Sequence, residues 1–147
     1  MKHDLPDFDL DGYVPYQLAV AASQLSKALA VQYRGRFGIS MPEWRVLVNV
    51  GYSDKVSVRD IERRVSLEKS KVSRAASKLE AAGYITKTVD DDDRRLLKLE
   101  LTAEGAALLT EIVPIARSFQ AKVETALAAE FATFQSALTT LMELDDA

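Results

Sequence analysis

Residues 57–83, SVRDIERRVSLEKSKVSRAASKLEAAG, decide the fold because they describe two short helices separated by a turn. Ser57, followed three residues later by Asp60, comes close to a capping box and begins the first helix. The letters SLE form the turn, and the second helix ends at Gly83. The inward residues of this second helix are small and apolar, and its outward residues are serines and cations. The stretch therefore predicts a helix-turn-helix with a basic outer face.

The residues after Gly83 change from helical to strand periodicity. Apolar and polar residues alternate in YITKTV (84–89) and in LLKLELT (96–102), where three leucines face one way. The letters DDDDRR (90–95) separate the two stretches. We therefore predict a β-hairpin whose tip is first acidic and then basic, which makes a wing beside the helix-turn-helix.

Amphipathic helices flank this unit on both sides. One is predicted over 13–35, and a second begins at Ser40 or Met41 and stops at Gly51. After the hairpin, Thr102 caps a long helix in which Pro114 is expected to introduce a kink, and a final helix follows. The apolar faces are too long for the small winged unit, so we expect a second copy of the chain to cover them.

The fold class expected is thus mainly α with a small β-wing (α+β), a winged helix-turn-helix between long terminal dimerisation helices. Three regions are predicted: an N-terminal dimerisation helix in 1–40, the winged helix-turn-helix in 41–102, and C-terminal dimerisation helices in 103–147.

Composition is that of an ordinary globular protein and excludes several chemistries. The 147 residues are 48% hydrophobic and 28% charged, without cysteine and with one histidine, His3. Disulfides and thiolate chemistry are excluded, and a catalytic triad would have to use that terminal histidine. No apolar run approaches the roughly 18 residues of a membrane span, and the N-terminus lacks a signal-peptide core. We expect a cytoplasmic protein with no membrane partner.

The net charge of −3 hides an uneven distribution. Residues 55–87 contain nine Lys or Arg against four acidic residues, a local balance of +5, so the rest of the chain carries −8. Such asymmetry predicts one face made for an anionic partner.

Three segments of the chain together resemble the MarR family of bacterial transcriptional regulators: MPEWRVLVNV, the helix-turn-helix, and DDDDRRLLKLELTAEG. The last is similar to the family's wing motif, here as Asp93, Arg95, Leu101, Thr102 and Gly105. The resemblance implies a homodimer on a palindromic double-stranded DNA operator, often released by a small ligand. The cysteine of the family's peroxide-sensing branch is absent.

The basic face and the resemblance together predict the DNA contacts. Serine hydroxyls bind phosphate, arginine and lysine reach guanine edges, and a hairpin tip can enter the minor groove. By family position Arg95 is the inserted residue. The predicted contacts are Ser57, Lys69, Ser70, Lys71, Ser73, Arg74, Lys78, Arg94 and Arg95. The alternative is a solvated helix face and an exposed turn whose charges only favour solubility.

The four aspartates of the tip are expected to differ in role. Asp90, Asp91 and Asp92 form the turn, whereas Asp93 lies two residues before Arg95 and would point the same way on a strand-like stem, orienting the guanidinium. Adjacent carboxylates also suit Mg²⁺ or Ca²⁺, but no second ligand cluster is visible, so no metal and no cofactor are predicted.

A ligand pocket is the least constrained prediction. The candidate lining is Tyr13, Tyr16, Tyr33, Phe37 and Trp44, with Arg45 as an anion anchor. These residues would take a small aromatic or anionic effector. The alternative is ordinary core for the aromatic residues and a surface charge for Arg45.

We therefore predict a homodimeric DNA-binding regulator, acting as a repressor released by a small-molecule ligand. The alternative is a winged-helix module that binds a protein instead of DNA. No credible catalytic set is present, so an enzyme is not predicted.

Overall fold

The fold of the protein is mainly helical with one small sheet, as predicted. The computed structural model describes residues 3–53, 56–65 and 69–144. In chain order the elements are α1 (Val14–Phe37), α2 (Met41–Tyr52), β1 (Val56–Ser57), α3 (Val58–Val65), α4 (Lys69–Ala81), β2 (Ile85–Val89), β3 (Leu97–Leu101), α5 (Ala103–Leu127), a 3-10 turn (Ala128–Glu130) and α6 (Phe131–Met142). The helix-turn-helix of α3 and α4 and the hairpin of β2 and β3 together confirm the winged helix.

The sheet contains a strand that the sequence pattern did not predict. Its order is β1-β3-β2, with both pairs antiparallel and Val89 opposite Leu97 next to the hairpin tip. Strand β1 has two residues, in register with Leu99 and Lys98 of β3. Such a short segment has no alternation to recognise. It places the start of α3 directly beside the wing.

The core lies in the winged unit and at the start of α5. Fully buried residues come from α2, α3, α4 and β2, while Tyr33 extends the core to the end of α1 and Ile112 extends it into α5. Leu79 of α4 and Ile61 of α3 have no exposed surface. Close burial of these side chains fixes which face of α4 remains outside, because a helix can bury only one side against such a core.

The predicted helix caps are present. Ser40 Oγ accepts a hydrogen bond from the Glu43 amide at 3.3 Å, so Ser40 is the N-cap of α2. Ser57 and Asp60 form the reciprocal bonds of a capping box, each backbone amide donating to the other side chain at 3.1 Å. The backbone amide of Ser57 holds the pKa of the Asp60 carboxyl below its usual value.

The motif Leu101-Thr102-x-x-Gly105 forms the corner between the wing and α5. Thr102 Oγ1 accepts from the Gly105 amide at 3.0 Å, and the Thr102 hydroxyl donates to the Gly83 carbonyl at 2.6 Å. A Cβ on Gly105 would lie 2.1 Å from the Tyr84 carbonyl oxygen. Glycine is therefore required there because the backbone of Tyr84, just before β2, approaches too closely for any side chain.

Two helix ends differ from the sequence prediction. Helix α1 continues through Gly35 to a left-handed C-cap at Gly38, with φ 66°. Helix α2 continues through Gly51, where the missing Cβ leaves space for the Leu109 side chain. Helix α5 contains Pro114 and continues beyond it to Leu127. A single glycine costs a helix only about 1 kcal/mol, which packing and the later cap override.

The flanking helices leave their apolar residues largely uncovered within the chain. On α1, only Tyr33 is buried, while Leu25 is 46% and Val31 is 75% exposed. The second half of α5 and the whole of α6 contain no buried residue. In the described part of the chain, no helix is both long enough and apolar enough to cross a membrane.

Candidate nucleic-acid interface

Helix α4 separates a fully buried apolar side from two parallel polar stripes. Val72, Ala76 and Leu79 have no exposed surface. The exposed side carries a cationic stripe at i, i+3, i+7 (Lys71, Arg74, Lys78) and a serine stripe with the same spacing (Ser70, Ser73, Ser77). Because residues at these spacings share one face of a helix, the two stripes run side by side along α4.

The cationic stripe borders the beginning of α2. Lys71, Arg74 and Lys78 line a cavity of about 220 Å³ together with residues of the α2 N-terminus, including Ser40. Glu43 also lines this cavity, but its carboxylate already accepts a hydrogen bond from the Ser40 hydroxyl at 2.8 Å. The positive end of the α2 dipole and three cations thus meet at one surface, which favours phosphate there.

The serine stripe borders the wing. Ser73 of α4 and Arg95 of the wing line one cavity of about 210 Å³, together with Arg59 of α3. The serine stripe of α4 and the wing tip therefore lie next to each other on one side of the molecule. The sequence pattern did not identify Arg59 as a DNA contact. The available indication was its position at the capping box of α3, three residues before Glu62.

The wing tip confirms the predicted pairing of Asp93 with Arg95. Asp93 Oδ1 accepts from Arg95 Nε at 3.0 Å, and Oδ2 accepts from Nη2 at 3.1 Å, a bidentate pair. The Arg95 side chain is 84% exposed. The Arg95 hydrogen bonds hold the pKa of the Asp93 carboxyl below its usual range, so the pair persists at neutral pH.

The predicted reason for this pairing is wrong. Asp93 lies in a turn and not on a strand-like stem, since β3 begins only at Leu97. The Leu96 amide donates to the Asp93 carbonyl at 3.0 Å, which places Arg94 and Arg95 at the two central positions of a four-residue turn. Asp93 Oδ1 also accepts the Arg95 backbone amide at 3.1 Å, so an Asx turn directs the side chains.

Asp90 has the turn-forming role that the sequence predicted. Its Oδ1 accepts the backbone amides of Asp92 at 2.8 Å and Asp93 at 3.3 Å.

Within 3–53, 56–65 and 69–144, no group of acidic or histidine side chains is arranged to hold a metal ion.

Two of the predicted contacts need separate comment. Ser57 is only 5% exposed, and its hydroxyl accepts the Asp60 amide, so its place in the fold is that of a helix cap. Helix α4 begins at Lys69, whose side chain lies outside the described part of the structure. The remaining members of the predicted set, Ser70, Lys71, Ser73, Arg74, Lys78, Arg94 and Arg95, are all exposed.

Lys87 fixes the position of the wing relative to α4. Its Nζ donates to Ser77 Oγ at 2.9 Å and lies 3.8 Å from the Glu80 carboxylate. The acidic charge that α4 carries at Glu80 is thereby balanced from the wing. Strand β2 thus ties the hairpin to the outer face of α4.

The six residues predicted to line a ligand pocket do not form one site within a chain. Tyr33, Phe37 and Trp44 belong to the core, with the Tyr33 and Trp44 rings 5.1 Å apart. Tyr13 and Tyr16 lie exposed at the other end of α1, roughly 25 Å away at the helical rise per residue. The core alternative therefore holds for the three buried or half-buried aromatic residues.

Tyr33 is the most unusual of these residues. Its side chain is fully buried, and its hydroxyl has no hydrogen-bond partner among the described residues. Burial raises the pKa of Tyr33 above its ordinary value, because the charged phenolate is disfavoured away from water. Its hydroxyl is thus neutral at physiological pH.

The chain matches a known family model. The family model described as "MarR family" matches residues 37–96, from the end of α1 to the wing tip. The transcriptional regulator SarZ from Staphylococcus saprophyticus is 27% identical over 99 residues, covering 67% of each chain. The aligned segments span about two thirds of the length of this and the next curated relatives.

Solved structures share the fold over nearly the whole chain. A MarR family transcriptional regulator from Silicibacter pomeroyi has a TM-score of 0.80 at 28% identity, covering 93% of this chain and 98% of that one. The BpsR protein from Bordetella bronchiseptica, whose DNA binding is regulated by 6-hydroxynicotinic acid, has a TM-score of 0.82 at 21% identity, covering 95% and 100%.

Proposed function

From the premise that this chain belongs to the MarR family of transcriptional regulators, we propose that it binds double-stranded DNA through α4 and the wing tip. The observation that carries the proposal is the outer face of α4, where a cationic and a serine stripe lie beside the paired Arg95. We assign no catalytic role to the chain. Because its proposed partner is DNA, its proposed place of action is the cytoplasm.

The contacts divide by chemistry. Arg74 and Lys71 are long enough to reach guanine edges in the major groove, and Ser70 and Ser73 suit phosphate oxygens. Lys78 extends this surface along the backbone of the duplex, and Lys69 at the start of α4 is proposed as a further phosphate contact. Arg95 enters the adjacent minor groove, where cations meet an enhanced negative potential, and Arg94 reaches the flanking phosphates.

The active form is proposed to be a homodimer on a palindromic operator. Apolar side chains on α1, α5 and α6 are exposed in one chain, including Leu25 and Phe134. A two-fold axis through these helices would bury them and present two α4 helices to successive major grooves.

The regulatory proposal is a repressor released by a small aromatic or anionic effector. Such a ligand would favour a dimer geometry in which the two α4 helices no longer fit successive grooves. The effect of 6-hydroxynicotinic acid on BpsR provides a parallel, since that ligand is a small aromatic acid. The proposed site uses the exposed Tyr13 and Tyr16 of one copy and Arg45 of the other, because Tyr33, Phe37 and Trp44 belong to the core.

The experiment that tests DNA binding is its dependence on salt. Genomic DNA captured by the purified protein would first be sequenced to identify the operator. A dimer with roughly 6–10 phosphate contacts should lose about 10³-fold or more in affinity between 50 and 200 mM salt. A flat salt profile, or no enriched site, would instead favour the module that binds a protein partner.

Arg74→Ala separates base reading from phosphate binding. If Arg74 contacts a base edge, the variant should lose about 1–3 kcal/mol on the operator and much less on random DNA. Arg117→Ala, an exposed arginine on α5, is the matched control and should change neither affinity. An equal loss on both DNAs would make Arg74 a phosphate contact.

A further inference from the structure

A groove with two cations lies between α1 and α5, away from the proposed DNA surface. Its volume is about 400 Å³, with Ile115 and Phe119 supplying apolar surface and Arg36 and Lys122 supplying charge. Both cations are exposed. Within the described ranges neither forms an ion pair with a carboxylate of its own chain. The groove therefore suits an occupant that is both apolar and acidic.

The segment DLPDFDLD, residues 4–11, has this composition. Four aspartates alternate or nearly alternate with apolar residues, and the segment contains no cation. Leu5 is 80% and Phe8 is 64% exposed, so these side chains are uncovered within the chain. Both apolar and acidic groups of this segment are therefore free to contact another surface.

The end of this segment has a defined shape. The Gly12 amide donates to Asp9 Oδ1 at 3.1 Å, and the Phe8 and Tyr13 rings meet edge to face at 5.1 Å. The missing Cβ of Gly12 leaves space for the Asp9 carboxylate. The segment is thus held near the start of α1, which reduces the ordering cost when it binds.

The segment and the groove of one chain lie at opposite ends of α1. Gln32, which lines the groove, is 18 residues beyond Val14, roughly 27 Å along the helix. Two copies whose α1 helices run antiparallel about a two-fold axis would place the start of one helix beside the end of the other. The exposed apolar residues along α1 give such a pairing its contact surface.

We propose that residues 4–11 of one copy occupy the α1–α5 groove of a second copy, with their aspartates beside Arg36 and Lys122. The proposal rests on the proposed homodimer and adds to it a reciprocal clasp. Opposite charges and matching apolar surface identify the occupant as this segment, and the two-fold symmetry makes each chain both donor and acceptor.

Cysteine cross-linking tests the proposal, because the natural chain has no cysteine to interfere. A Pro6→Cys chain would be mixed with a Ser118→Cys chain, allowed to exchange subunits and mildly oxidised. Ser118 lines the groove, and Pro6 carries neither a charge nor one of the apolar anchors. We expect a heterodisulfide on a non-reducing gel at least tenfold above that from Pro6→Cys mixed with Ser70→Cys, an exposed control on α4.

Light scattering of the parent protein distinguishes the two possible failures. A monomer at micromolar concentration would overturn both the homodimer and the clasp. A dimer in which the Pro6 and Ser118 pair cross-links no better than the control would overturn the clasp alone.

The charge pairing has its own readout. The variant Arg36→Gln/Lys122→Gln should raise the dimer dissociation constant by about threefold to tenfold, an effect that fades at high salt. Arg117→Gln, an exposed cation of α5 outside the groove, should leave it within about twofold. Equal effects of the two variants would show that overall charge, and not this groove, governs association.

Discussion

The winged unit and the helices that flank it differ in how far their apolar side chains are buried. In the winged unit, Ile61, Leu79 and Ile85 are buried almost completely by neighbours from the same chain. On the flanking helices, Leu25, Phe134 and Leu141 are each between 38% and 46% exposed. Apolar residues are thus buried or exposed according to the helix or strand in which they lie.

This difference indicates which part of the chain can hold its shape alone. The winged unit has a closed core, two satisfied helix caps and a hairpin tied to α4 by Lys87. The flanking helices leave apolar side chains exposed within one chain. In the proposed homodimer, association of these helices would set the relative position of the two winged units.

Replacing a core residue of the winged unit should have the largest effect. Leu79→Ala removes a fully buried side chain beneath the basic face of α4. We expect a loss of about 2–5 kcal/mol in the free energy of unfolding, measured by urea denaturation followed by circular dichroism. A loss below about 1 kcal/mol would mean that the core around α4 is loosely packed and that the contrast with the flanks is false.

A matched change on the flank should act on association. Leu25→Ser should weaken the dimer by roughly 1.5–3 kcal/mol per buried side chain, visible as a higher dissociation constant in sedimentation experiments. The winged unit should keep its far-ultraviolet spectrum. If Leu25→Ser leaves the dissociation constant unchanged, this part of α1 faces water in the assembly.

The sequence was sufficient where the determining contacts are local. Capping residues act within three or four positions, so Ser40, Ser57 and Thr102 could be recognised as caps directly. The helix-turn-helix and hairpin followed from changes in hydrophobic period. The pairing of Asp93 with Arg95 was also local, although a turn and not strand alternation produces it.

The sequence was insufficient where tertiary contacts decide. Strand β1 exists because two residues meet the edge of β3, which no pattern within them could indicate. Arg36 and Lys122 are far apart in the chain and share a groove only after α1 and α5 pack. Tyr16 and Tyr33 were predicted to line one pocket because both are tyrosines, yet most of the length of α1 separates them within one chain.

The capping box of α3 should contribute a smaller, pH-dependent stability. The folded pKa of Asp60 is depressed, so its contribution is present above the unfolded carboxyl pKa of about 3.9 and is lost as pH falls through the lower folded value. Asp60→Asn should cost about 0.5–1 kcal/mol in the free energy of unfolding at pH 7 and almost nothing once the pH lies below the folded pKa.

The capping role of Ser57 can be checked in the same experiment. Ser57→Ala should lower stability by about 1 kcal/mol while the folded dimer keeps its operator affinity. A selective loss of affinity without loss of stability would return Ser57 to the DNA contacts.

The smallest expected effects concern the acids of the wing tip, and they test whether the tip acts by orientation or by charge alone. Asp93 holds the Arg95 guanidinium through two side-chain bonds, so an Arg95 directed toward the minor groove loses less side-chain freedom on binding. Asp93→Asn should therefore weaken operator binding by about threefold, although it removes a negative charge from a DNA-facing turn.

Asp91 is the matched comparison because it is exposed near the same turn. In the part of the chain that the structure describes, it accepts no hydrogen bond from Arg95. Its carboxylate would repel phosphate, so Asp91→Asn should strengthen binding to random DNA by about twofold to threefold and narrow the gap between operator and random sequence. Fluorescence anisotropy at one fixed salt concentration would measure both variants on both DNAs. If Asp93→Asn instead binds its operator more tightly than the parent, repulsion by the carboxylates dominates the tip, and the bidentate pair has no orienting role.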